Sequence, residues 1–197
     1  MKKLFLLFCF VNIFSLTAVA KSAFDYFEQA SLCLQINDNI CVKNSLDNAK
    51  NLAPDWGDLY SFEGYWLAYN AKWADAIAAF TTAIKYMPKD EVSYYGRGMV
   101  YATQRNFDKA FPDLTYAINL NPKDASAWGA RGLAYVYLGE KAKALYDFKQ
   151  AINLEPNSPI NAIAYYFIGT FENNNSYIEK AKILNPALIQ RLSILQY

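Results

Sequence analysis

Four prolines stand at one fixed interval. Pro54, Pro88, Pro122 and Pro156 recur every 34th position. Each follows the apolar end of a segment, as in Asn51-Leu52-Ala53 before Pro54 and Asn153-Leu154-Glu155 before Pro156. Proline cannot continue a helix, so each one reads as a stop after a helical segment. A constant period of this length is the mark of a chain built from stacked copies of one supersecondary unit. That single feature excludes an ordinary globular core, because each copy can bury its apolar faces only against its neighbours.

Working back from each proline recovers the rest of the unit. The second copy carries Tyr60, Gly64, Leu67, Ala76, Phe80, Ala83 and Pro88. The third carries Tyr94, Gly98, Tyr101, Ala110, Leu114, Ala117 and Pro122, and the fourth Trp128, Gly132, Tyr135, Ala144, Phe148, Ala151 and Pro156. A looser first copy has Tyr26, Ala30, Cys33, Val42, Leu46, Ala49 and Pro54. This pattern resembles the tetratricopeptide repeat, a helix–turn–helix unit of about 34 residues. The resemblance implies an all-α fold: a right-handed superhelix (α-solenoid) of antiparallel helix pairs, with a C-terminal capping helix. Repeats are expected over about 23–56, 57–90, 91–124 and 125–158. A degenerate fifth follows over 159–186, and a cap over 187–197. Gly64, Gly98 and Gly132 are expected to let the paired helices approach closely, with Ala76, Ala110 and Ala144 as the small residues facing them.

The fifth unit is shorter, since Asn185-Pro186 arrives too soon after Pro156 for the common interval. The four missing residues are expected near the turn. Ser176 reads as the N-cap of its second helix, with Glu179 completing a capping box. Leu188, Leu192 and Leu195 share one face of the final segment. Pro112 falls inside the second helix of the third repeat, where a lost backbone bond is expected to kink it.

Residues 1–20 read as a signal peptide. Lys2 and Lys3 precede an apolar run over 4–16, and Ala18-Val19-Ala20 supplies a cleavage pattern, so Lys21 becomes the new N-terminus. The run is short of the roughly 20 residues needed for a span, so no stable membrane span is expected after cleavage. Cleavage takes two of the 19 basic residues and none of the 18 acidic ones, turning a charge of +1 into −1. The expected location is periplasmic or secreted, in a bacterial envelope. Export also leaves Cys33 and Cys41 in an oxidising compartment, where paired cysteines bond. In the first repeat they flank the helix–helix turn, close enough for a disulfide if both face the seam.

Near-neutral charge with no basic block disfavours nucleic acid as a partner. The chain has no histidine, which removes Ser–His and Cys–His catalysis and leaves two cysteines short of a closed zinc site. No phosphate-binding glycine loop is present. The acidic residues are scattered and expected mostly on outer helix faces, so no cleft with paired carboxylates is implied. No enzyme activity, metal or cofactor is expected. The resemblance implies instead a scaffold or adaptor for protein–protein interaction, with a partner protein or peptide segment laid in a groove lined by the first helices. Carrying that groove over position by position selects Tyr65, Tyr69, Tyr95, Met99, Leu133, Tyr137 and Phe167. Asp58, Ser61, Ala68, Val92, Thr103, Ser126, Gly129, Val136 and Ile163 complete it. Such a surface is aromatic and apolar, with almost no fixed charge. Self-association without a peptide ligand is the alternative, and glycan stacking on the tyrosines a further one. Arg97 and Arg131 sit just before repeat glycines. They are expected either to lay their stems along apolar surface with the heads in water, or to reach a carboxylate of a bound partner or the neighbouring repeat.

Overall fold

The computed structural model describes residues 21–194 and is all-helical over them. The signal-peptide expectation and Leu195 of the C-terminal face lie outside the described residues. The chain divides into two compact units, one ending at Pro54 and the other beginning at Asp55.

The first unit is a single hairpin, α1 (Ala23–Gln35) and α2 (Asn39–Leu52). Ser22 and Asp25 form a reciprocal capping box at the start of α1, and Asp38 caps α2 by accepting from the Cys41 amide. Ala30, Val42, Leu46 and Ala49 are fully buried. The structure joins Cys33 to Cys41 across the turn, with Cα atoms 5.8 Å apart.

The second unit repeats that hairpin. Its helices are α3 (Gly57–Tyr69), α4 (Trp73–Tyr86), α5 (Glu91–Thr103), α6 (Phe107–Leu120), α7 (Ala125–Tyr137) and α8 (Lys141–Leu154). A short 3-10 turn at Pro159–Asn161 leads into α9 (Ala162–Glu172), α10 (Asn175–Leu184) and α11 (Pro186–Ile194). Each odd-numbered helix from α3 to α9 packs on the even-numbered one that follows it, and each pair packs on the next.

The boundaries have local causes. Asp90 and Asp124 cap α5 and α7 through the amides of Ser93 and Ser126, each satisfying a backbone donor that the first helical turn leaves free. The first helices end in a left-handed residue: Ala71, Arg105 and Asn173 at φ 53–57°, and Gly139 at 74°. The amide beyond each returns to the last turn, as from Lys72 to the Leu67 carbonyl at 2.9 Å and from Asn106 to Tyr101 at 2.9 Å. This is the Schellman type of stop.

One local expectation is extended and two are corrected. The repeat glycines receive larger side chains than those of Ala76, Ala110 and Ala144. A Cβ on Gly64 would lie 2.7 Å from the Phe80 ring, one on Gly98 2.9 Å from Leu114, and one on Gly132 2.8 Å from the Phe148 ring. The glycines are sockets for large, fully buried side chains of the partner helix, one turn beyond the alanines. The fifth repeat keeps its turn and loses its four residues from the second helix instead: α10 has 10 residues where α4, α6 and α8 have 14. Four residues are close to one helical turn, so the loss shortens α10 while leaving its buried face in register. Lastly, the cap of α10 is Asn174 rather than Ser176, accepting from the Ser176 amide at 3.0 Å. The turn fixes this, because left-handed Asn173 ends α9 and places Asn174 in extended backbone, while Glu179 pairs with Lys182.

The degenerate unit is tied down by a polar clamp. Asn161 is buried, and its amide donates to the carbonyls of Ala151 (3.1 Å) and Glu155 (2.8 Å) at the end of α8. α11 lies on α9 and α10, with Ile189 buried and Leu188 and Leu192 packed beside it.

Candidate functional site

The first helices of the second unit lie side by side, α3 against α5, α5 against α7 and α7 against α9. Their shared face carries the residues selected from the sequence, and the structure sorts these into three kinds. Tyr69 and Tyr137 are largely exposed, at 77% and 56%. Met99, Leu133 and Tyr137 come together around one pocket of about 250 Å³ between α5 and α7, floored by Ala130 and Ala134. Tyr95 and Phe167 are half-buried in packing, and Tyr65 is in part packing and in part exposed. The Tyr65 hydroxyl donates to the Val92 carbonyl at 2.8 Å and its ring stands edge-on to Phe80. Burial raises the pKa of both the Tyr65 and Tyr95 phenols, so neither ionises near neutrality. Tyr95 packs with Met99 against Ala110, Leu114 and Ala130, and Phe167 lies flat on Phe148 at 5.8 Å.

The expected lack of fixed charge on this face needs a correction. Arg105, at the left-handed stop of α5, is exposed on the pocket rim. Its guanidinium sits 5.5 Å over the Tyr137 ring. The repeat pattern gives no sign of it, because Arg105 lies in the turn and the groove positions lie on helices.

A second set of polar contacts also goes beyond the sequence reading. Arg97 makes a two-pronged pair with Asp113, Nε to Oδ2 at 2.7 Å and Nη2 to Oδ1 at 2.9 Å, and its Nη1 donates to Thr81 Oγ1 of the preceding repeat at 3.1 Å. Arg131 repeats this with Asp147 at 2.8 and 2.9 Å and with Thr115 at 3.1 Å. Asp147 is 1% exposed. The heads are therefore withdrawn from water, and these two aspartates are not on the outer faces expected for the acids. The carboxylates hold both guanidinium groups above their usual pKa, outweighing the opposing effect of burial. A readable signal exists: Thr81, Arg97 and Asp113 recur as Thr115, Arg131 and Asp147 one repeat later, evenly spaced within each trio.

Family models for the tetratricopeptide repeat match residues 64–118 and 125–158. The chain is a tetratricopeptide repeat (TPR) protein. Among solved structures, it is similar to PilW, described as a widely conserved type IV pilus biogenesis factor, at 17% identity and a TM-score of 0.71, covering 82% of this chain and 75% of that one. It is similar to MamA from Desulfovibrio magneticus RS-1 at 19% identity and a TM-score of 0.68, covering 86% and 95%. It also resembles YrrB, a TPR protein described as having an unusual peptide-binding site, at 21% identity and a TM-score of 0.66, covering 89% and 93%. A comparison with curated proteins found no match. TPR domains bind protein partners. Among the described residues, no group of three or more His, Cys, Asp or Glu could hold a metal, and no helix is long and apolar enough to cross a membrane.

Proposed function

We propose that this protein is an exported TPR adaptor of a bacterial envelope, holding a segment of a partner protein on the first-helix face of α3, α5 and α7. The observation that carries the reading is the open pocket between α5 and α7, with Tyr137 exposed at its edge and Tyr69 exposed on the same face. Exposed aromatic rings beside an open recess with apolar side chains and a few polar ones are what a binding surface presents. The envelope setting rests on the N-terminal export pattern, and a neighbour described as a pilus biogenesis factor is in keeping with it. The role is binding rather than catalysis, since no histidine is available and the buried charges are spent on each other.

The test is cross-linked capture from an envelope fraction, comparing the parent with Tyr69→Ser/Tyr137→Ser. Both rings are largely exposed, so helical content is expected to be unchanged, whereas Tyr95→Ala would disturb packing. A protein captured by the parent and lost with the double variant supports the adaptor. Equal capture by both forms moves the site off this face, and capture of further copies of the same chain alone replaces the adaptor with self-assembly.

Export also predicts that the Cys33–Cys41 bond forms in the cell and secures the first hairpin. Its closed loop is short, so replacing both cysteines with serine is expected to cost about 2–3 kcal/mol in the melting of that unit. A thiol assay on protein taken from the envelope should find neither cysteine free. Two free thiols there would contradict the assigned compartment.

A further inference from the structure

We propose that the pocket between α5 and α7 is an anchor site for an acidic–apolar segment: it takes one large apolar side chain, and Arg105 pairs with an Asp or Glu side chain next to it. The inference rests on the first-helix face being the binding face, and adds the chemistry of the partner. Two observations carry it.

The recess has the size and lining for a side chain. An apolar cavity of about 150 Å³ holds a benzene ring, and this one measures about 250 Å³. Met99, Ala102, Ala130, Leu133 and Ala134 give it an apolar lining, beside Thr103 and Arg105. A thioether can reshape itself around an incoming ring.

Arg105 is a cation without a carboxylate. It is exposed, its contact is the Tyr137 ring, and it makes no ion pair with any described residue. The other arginines of α5 and α7, Arg97 and Arg131, are committed to Asp113 and Asp147. The charge left over at the recess is positive, so its complement is an anion.

Arg105 has φ 57°, where the corresponding turns of the neighbouring repeats have Ala71 and Gly139, so this backbone accepts glycine.

The partner group is an internal side-chain carboxylate and not a chain terminus. One guanidinium faces the recess, and the face continues past it toward Tyr95 on α5 and Tyr65 on α3, so a bound segment has surface on which to run on.

The experiment uses the three methionines. Only Met1, Met87 and Met99 occur, and Met87 sits against Gly57, away from the pocket. Protein purified from its expressing cells, labelled at the methionine methyls, is titrated with acetylated and amidated hexapeptides carrying one Phe beside one Asp, Asn or Lys. A fourth peptide lacks Asp and ends in a free Phe carboxylate. The Asp peptide is expected to shift the Met99 methyl and not that of Met87, and to bind about two- to fivefold more tightly than its Asn counterpart, the gain of one solvent-exposed ion pair. The Lys peptide should be weakest, and added salt should narrow the differences. Arg105→Gly removes the cation while relieving the turn, so it folds at least as well, and it should erase the preference for Asp over Asn. Equal binding of the Asp and Asn peptides, a preference that survives Arg105→Gly, or tighter binding of the free-carboxylate peptide each overturns the proposal. So does a Met99 signal that no peptide moves. Partner capture that still depends on Tyr69 and Tyr137 would then leave the adaptor standing without this anchor, whereas loss of that dependence would remove the adaptor reading itself.

Discussion

Asp147→Ala is expected to lower the unfolding free energy by about 3–5 kcal/mol, read as a shift in the urea midpoint followed by helical circular dichroism. The carboxylate is 1% exposed and accepts both prongs of Arg131 at 2.8 and 2.9 Å. Removing it leaves a guanidinium, itself largely withdrawn from water, whose remaining hydrogen bond goes to Thr115. Most of the loss is the penalty of an uncompensated buried charge rather than the net worth of the pair. That distinction has its own consequence. Arg131→Met combined with Asp147→Leu should recover most of the stability, because apolar replacement of both partners removes the desolvation cost with the attraction. Asp113→Ala should cost less, since the Asp113 side chain is 9% exposed and water can partly replace its partner. A loss below about 1 kcal/mol for Asp147→Ala would mean that the pair behaves as a screened surface bridge.

Phe80→Ala should be comparably damaging, at about 3–5 kcal/mol. The ring is fully buried and lies in two sockets at once, against Gly64 of its own hairpin and against Gly96 of the next repeat. Tyr65 closes over it edge-on, with ring centroids 4.9 Å apart. Truncation therefore opens a cavity at the seam between two repeats, where neither hairpin can collapse into it without losing contact with the other. Gly96→Ala should also destabilise, because its methyl would meet the Phe80 ring and the ring has nowhere to go. The pair of substitutions together should cost less than their sum, as the methyl enters the space the ring vacated. Strict additivity in the same urea melts would place the two residues out of contact.

Much of the architecture is legible in advance, for reasons that particular residues make clear. The stops at Pro54, Pro88, Pro122 and Pro156 and the glycines at 64, 98 and 132 act through a pattern that recurs from copy to copy. Repetition multiplies each weak local signal. The reading fails where the deciding contact lies elsewhere. Ser176 has the right spacing for a cap, but the left-handed Asn173 hands that role to Asn174. Phe167 occupies a groove position by register, yet its ring is drawn down onto Phe148 of another helix. Arg105 escapes notice because it lies in a turn, and no periodic rule points to it.

The sequence by itself determined the period, the helix ends and the all-helical class, because these follow from backbone geometry and from the spacing of apolar residues along a single helix. Only the tertiary structure decided which charges are buried, which aromatic rings are packing and which remain free, and where a recess opens. Those outcomes depend on how two helices approach each other. A displacement of one side-chain length separates the buried Arg131–Asp147 pair from a solvated one, and no spacing along one chain fixes that distance.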